Sequence, residues 1–196
     1  MKKGVVLCIT LGAIFAVCGC SGKPSVSVPN YKPERIAEKA IELFDTDGDG
    51  KIGGVELDAC PGLKDALKRV DTDGDSMANA EEIAQRVRSW TQIGGLPVGC
   101  AITLNGQPVQ YANVVFEPEP FLEDVISPAT GETDVTGTCD LKSDALPYGA
   151  QGGMYRVRII SETQTIPPKY SSETTLGAEV SNEAPGIVQG RYRFDL

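Results

Sequence analysis

The chain of 196 residues contains no histidine. That absence excludes a Ser-His-Asp triad, a Cys-His dyad, a zinc site with a histidine ligand and a histidine general base. Basic residues are few: 18 Lys+Arg against 27 Asp+Glu give a formal charge of −9, a balance that argues against nucleic-acid binding. Aromatic residues make up only 6% of the chain, whereas it has 22 glycines and 13 prolines, so many turns and a modest core are expected rather than a long helical bundle. After residue 17 no run is apolar enough to enter a membrane. The length leaves room for one large or two small domains.

The N-terminus has the layout of an export signal. Lys2 and Lys3 precede an apolar stretch over residues 4–17, which is short for a permanent membrane span. The stretch ends in Val17-Cys18-Gly19-Cys20, which resembles a bacterial lipobox. The resemblance implies cleavage before Cys20 and acylation of that residue. A signal peptide over 1–19 would then leave a lipidated protein, exported and anchored to the cell envelope at the outer membrane or cell surface. Residues 20–32 are rich in Ser and Pro and lack periodicity, so they read as a tether.

Two acidic clusters follow. Asp45, Asp47, Asp49 and Glu56 stand at positions 1, 3, 5 and 12 of a calcium loop, with Gly50 at position 6 for the sharp turn. Lys51 at position 7 needs to supply only its backbone carbonyl, and Gly53 at position 9 leaves that place to a water. The pattern recurs 26 residues later: Asp71, Asp73, Asp75 and Glu82 at positions 1, 3, 5 and 12, the Met77 carbonyl at position 7, and Asn79 at position 9. Here Ser76 replaces the position-6 glycine, and a non-Gly residue at positive φ costs about 1–2 kcal/mol. The first loop is therefore expected to bind more tightly. Residues 33–44 and 82–90 have helical periodicity, and Cys60-Pro61-Gly62 interrupts the helix between the loops. The segment 33–90 resembles a compact bacterial EF-hand pair, with dockerin repeats as a cousin. Calcium is the implied cofactor, and few methionines argue for a structural site rather than a sensor.

Beyond a Gly/Pro linker at 91–97, helical periodicity gives way to short alternating runs at 98–104, 109–117, 139–142, 155–160, 176–180 and 190–196. Tyr155, Val157 and Ile159 alternate with Arg156 and Arg158. The turns Asn105-Gly106-x-Pro108 and Thr133-Asp134-x-x-Gly137 and the Gly153-x-Tyr155 strand start resemble the carboxypeptidase regulatory-like, transthyretin-like module, which is non-catalytic in that family. The fold expected is therefore α + β in separate domains: an EF-hand pair over 33–90 and an antiparallel β-sandwich over 98–196. Residues 117–131, with three prolines, read as an irregular insertion, and Glu117, Glu119, Glu123 and Asp124 as a solvated acidic loop. Cys100 and Cys139 fall on inward positions of the family pattern, which suggests a disulfide between them. The reading for the whole chain is a calcium-binding, lipid-anchored protein with a structural, adhesive or interaction role. Its partners would be the membrane, through Cys20, and an exported protein or envelope component. A dockerin-like docking module is the alternative, and no enzyme is expected.

Overall fold

Residues 28–196 are described by the computed structural model, so Cys20 and the whole leader lie outside the described residues. Tyr31 is already part of the body: its ring is buried against Trp90, with centroids 6.2 Å apart, and its hydroxyl donates to the Gly152 carbonyl at 2.5 Å. Helix α1 (Pro33–Phe44) begins on a proline, whose fixed φ suits a first helical turn, and buries Ile36, Ala37, Ala40 and Phe44 along one face. Strand β1 (Lys51–Gly53) and one turn of helix, α2 (Glu56–Ala59), follow. After the break at Cys60 come α3 (Pro61–Val70), β2 (Met77–Asn79) and α4 (Ala80–Trp90).

The remainder is sheet. Its strands are β3 (Gly99–Leu104), β4 (Gln107–Pro108), β5 (Asn113–Pro118), β6 (Ala129–Glu132), β7 (Thr138–Asp140), β8 (Lys142–Ser143), β9 (Gly153–Ile160) and β10 (Gly177–Val180). A short helix, α5 (Pro185–Val188), precedes the last strand, β11 (Tyr192–Asp195). One sheet runs β10-β9-β5-β6-β8; a second runs β11-β3-β4, with β7 also on β3. The two sheets meet through aromatic rings: Phe116 of β5 lies 5.6 Å from Tyr192 and 6.3 Å from Phe194 of β11, centroid to centroid. Directly paired residues share a face. Thus Phe116, Val157 and Ile159 point to the second sheet, while Arg156, Arg158 and Glu179 point the other way.

The expectation of a helical calcium module joined to a separate antiparallel sandwich is overturned. One hydrophobic core runs from Tyr31 through Trp90 to Phe194. Helix α3 lies on β10 and β9 at backbone distance: a Cβ on Gly177 would fall 1.8 Å from the Pro61 carbonyl oxygen, and one on Gly62 would fall 2.8 Å from the Tyr155 nitrogen. Two glycines thus let the layers touch where any side chain would part them. Residues 91–97 do not act as a spacer: Ile93 is buried, and Leu96 exchanges both backbone hydrogen bonds with Ala150, at 2.9 and 3.0 Å. Nor is the sheet all antiparallel, because β11 runs parallel to β3 with Tyr192 opposite Cys100. The supposed insertion contains β6 and a buried wedge of Phe121, Leu122 and Ile126, with Phe121 edge-on to Phe44 at 6.2 Å.

A polar clamp closes the joint. Glu179 of β10 is fully buried. Its Oε2 accepts from Arg69 Nε at 2.5 Å; its Oε1 accepts from Arg86 Nε at 2.5 Å and from Trp90 Nε1 at 3.0 Å. Its backbone N–H donates to Asp65 Oδ2 at 3.1 Å. Arg86 also reaches Ser181 Oγ and Glu183 Oε2, each at 3.0 Å. Every donor to the Glu179 carboxylate comes from α3 or α4, so the charge pattern as well as the core binds the helices to the sheet.

Candidate metal centre

The two acidic loops have the same internal wiring. In the first, Asp45 Oδ1 accepts from the Gly48 N–H at 2.7 Å and Oδ2 from the Gly50 N–H at 2.9 Å. In the second, Asp71 accepts from Gly74 at 2.6 Å and Ser76 at 2.9 Å. Glu56 Oε1 accepts from the Thr46 N–H at 2.6 Å and Oε2 from the Gly53 N–H at 3.0 Å; Glu82 does the same with Thr72 at 2.8 Å and Asn79 at 3.0 Å. Backbone donors, Gly53 and Thr46 first, hold the Glu56 carboxyl down to about 2, so it is ionised at any ordinary pH.

The loops are joined back to back. β1 pairs antiparallel with β2, and the register sets Ile52 opposite Ala78, position 8 against position 8. Both residues are fully buried. Ala78 in place of a second aliphatic leaves room for Ile52 without widening the ribbon. Gly53 also has a steric reason: it faces Met77, and a Cβ there would sit 2.7 Å from Met77 Cγ.

The carboxylates of Asp45, Asp47 and Asp49 lie with one oxygen each inside a 4.8 Å span, and so do those of Asp71, Asp73 and Glu82. Glu56 stands outside the first set and Asp75 outside the second. Asp75 instead forms an ion pair with the Lys51 ammonium, which crosses the ribbon. Position 7 of one loop therefore neutralises position 5 of the other, a link that the loop pattern, which assigns Lys51 only a carbonyl, does not contain. Ser76 does adopt the position-6 geometry, at φ 66° beside 83° for Gly50. Asn79 caps α4, its side chain accepting from the Glu82 N–H at 3.0 Å in a reciprocal capping box; Gly53 has no side chain to do this, and α2 ends after one turn at the Cys60-Pro61 break. Three or four carboxylates with nearby carbonyls form an oxygen set suited to a hard divalent cation and unsuited to soft metals.

No family model, curated protein or solved structure matches this chain.

The remaining predicted sites are placed as follows. Cys100 and Cys139 are directly paired across β3 and β7, but the structure holds them as two buried free thiols rather than a disulfide. The flanking bonds from Ile102 to Gly137 and from Leu141 to Val98 put them at a hydrogen-bonded ladder position, where Cα atoms stand about 5.5 Å apart. Their nearest interaction is thiol to thiol, and it raises the pKa of Cys100 while lowering that of Cys139. Glu119 is not part of a solvated acidic loop. It is completely buried, and its Oε1 accepts from the Gly62 N–H at 2.6 Å, capping α3 from the residue that follows β5. Its Oε2 has no hydrogen-bond partner and lies 3.9 Å from Arg156 Nε, which is equally unpartnered. No helix among the described residues is long and apolar enough to cross a membrane.

Proposed function

We propose that the paired loops bind two calcium ions and that the protein is a lipid-anchored component of the cell envelope with a structural or interaction role. The observation that carries this reading is the duplication of one loop geometry, hydrogen bond by hydrogen bond, across the Ile52–Ala78 ribbon. Asp45, Asp47, Asp49, Glu56 and the Lys51 carbonyl would hold one ion; Asp71, Asp73, Asp75, Glu82 and the Met77 carbonyl would hold the other. Clustered carboxylates repel one another without a cation, so binding would add stability by mass action. The anchor rests on Val17-Cys18-Gly19-Cys20, and two or more acyl chains suffice for a stable membrane hold. Val55, 82% exposed, and Leu43, 47% exposed, put apolar side chains near the first loop, and on these stands the second reading, a calcium-dependent docking module.

Calorimetric titration is expected to show two calcium events, the first loop the tighter. Asp45→Ala removes the tighter event. Lys51→Met releases Asp75 and strengthens the weaker event by about threefold, a modest effect because an exposed ion pair is a weak competitor. Absence of heat together with an unchanged melting temperature at millimolar calcium would contradict the assignment. An unchanged weaker event in Lys51→Met would show that the cross-loop pair does not compete with the ion.

A further inference from the structure

Beside the start of α1 is a cleft of about 430 Å³ with a floor of Ile36, Phe121 and Val125 and a rim bearing Lys32, Arg35 and Lys39. The three cations are spaced along one face of the helix. Lys32 and Arg35 have no ion-pair partner among the described residues, while Lys39 meets Asp124, the one acid on the cleft wall, at 3.2 Å. Helix stability does not explain this arrangement. Positive side chains at a helix N-terminus oppose the macrodipole, and no side chain caps α1. In a chain of net charge −9, these three cations line one cleft at the place where the described body continues toward Cys20. The acid of that first turn, Glu34, is turned away to Arg88 at 2.7 Å.

We propose that this cleft seats the headgroup of an anionic phospholipid and so orients the body on the membrane. The proposal rests on the lipid-anchor reading for its supply of ligand. The ten residue-to-residue steps from Cys20 to Asn30 reach at most about 35 Å whatever their conformation, so the cleft is never far from the bilayer surface. The rim matches the phosphate charge, and the apolar floor suits the glycerol and upper acyl region, which free phosphate would not use. Basic side chains are drawn to an anionic surface and acidic ones repelled from it, which favours one orientation of an otherwise acidic body.

The test uses the full acylated chain in lipid discs, of phosphatidylcholine alone or with phosphatidylglycerol added. Acetylation of Lys32 and Lys39 is compared with that of exposed Lys142. Protection of about fivefold in the anionic discs is expected, lost at high salt and, read at Lys39, lost in the double variant Lys32→Glu, Arg35→Glu. Equal rates in both discs overturn the cleft assignment. Failure to co-elute with either disc would instead refute the anchor, and the cleft is then judged by a second measurement. Short-chain phosphatidylglycerol, titrated into the protein without a membrane, should shift the amide resonances of residues 30–39 saturably. An equal response to inorganic phosphate, or no response to the lipid, overturns the proposal.

Discussion

Glu179→Ala is expected to lower the melting temperature by roughly 10–15 °C. Removing one member of a buried ion pair leaves an uncompensated charge and costs about 3–5 kcal/mol, and in a body of this size each kcal/mol moves the midpoint by about 2–4 °C. Two guanidinium groups and the Trp90 indole lose their acceptor at once, and Arg69 and Arg86 are themselves largely buried. The loss should also be localised. Amides of α3 and α4 would exchange faster than those of β5 and β9, because Glu179 is the sheet's attachment to both helices. Glu183→Gln, which removes only a solvent-facing partner of Arg86, should shift the midpoint by no more than about 2 °C. Replacing Arg69, Arg86 and Glu179 together by apolar residues of similar volume should recover most of the loss. A shift of Glu179→Ala below that of Glu183→Gln would show that the clamp does not hold the joint.

The clamp explains what was legible in the sequence and what was not. Local elements were legible, because their causes are local. α1 begins at Pro33 and ends before Asp45, as periodicity implies, and the alternation in β9 sorts Tyr155, Val157 and Ile159 from Arg156 and Arg158. The two acidic loops were legible as a repeated turn, since loop positions follow from spacing, although Glu56 and Asp75 stand outside the two carboxylate sets. The joint was not, because polar residues at alternate strand positions read as solvent-facing. Glu179 occupies such a position on β10, Glu119 follows β5 in a stretch that reads as a solvated acidic loop, and both are buried under helices. Their partners stand 93 residues away for the Arg86–Glu179 pair and 57 for the Gly62–Glu119 pair, and no periodicity spans that separation. The available hint was Trp90, the single tryptophan, whose N–H needs an acceptor when buried. Gly62 reads as part of a helix break and Gly177 as one position in a strand; only their close approach to the facing layer shows why neither bears a side chain. The same limit applies to Lys51, whose place in the loop pattern conceals the reach of its ammonium to Asp75.

Glu119→Gln is expected to stabilise the protein at pH 8.5 and to leave it nearly unchanged at pH 5. Burial, above all, raises the Glu119 carboxyl to about 7, against an ordinary value of 4.5, and the Gly62 N–H and Arg156 only partly offset it. The groups facing it are the Cys60 thiol at the head of α3, Arg156 on β9 and Glu117 on β5; Cys60 is itself pushed up, first by burial and then by the Glu119 charge. A folded-state value above the unfolded one means that the native protein holds this proton more tightly. The stability tied to it is complete below about pH 4.5, declines as pH rises, and is lost through pH 7. Across that window the loss is at most about 3 kcal/mol, which corresponds to roughly 6–10 °C in the midpoint. Other carboxylates act in the opposite sense, Glu56 among them, so the diagnostic quantity is the wild-type midpoint minus that of the variant, measured in chelator from pH 5 to 8.5. Glutamine keeps the carbonyl that accepts from Gly62 and removes the charge. The difference should therefore start near zero in acid, turn negative around neutrality and level off above pH 8. A difference that stays constant with pH would mean that Glu119 keeps one protonation state throughout, and that the Gly62 bond with the Arg156 pair outweighs the cost of burying the charge.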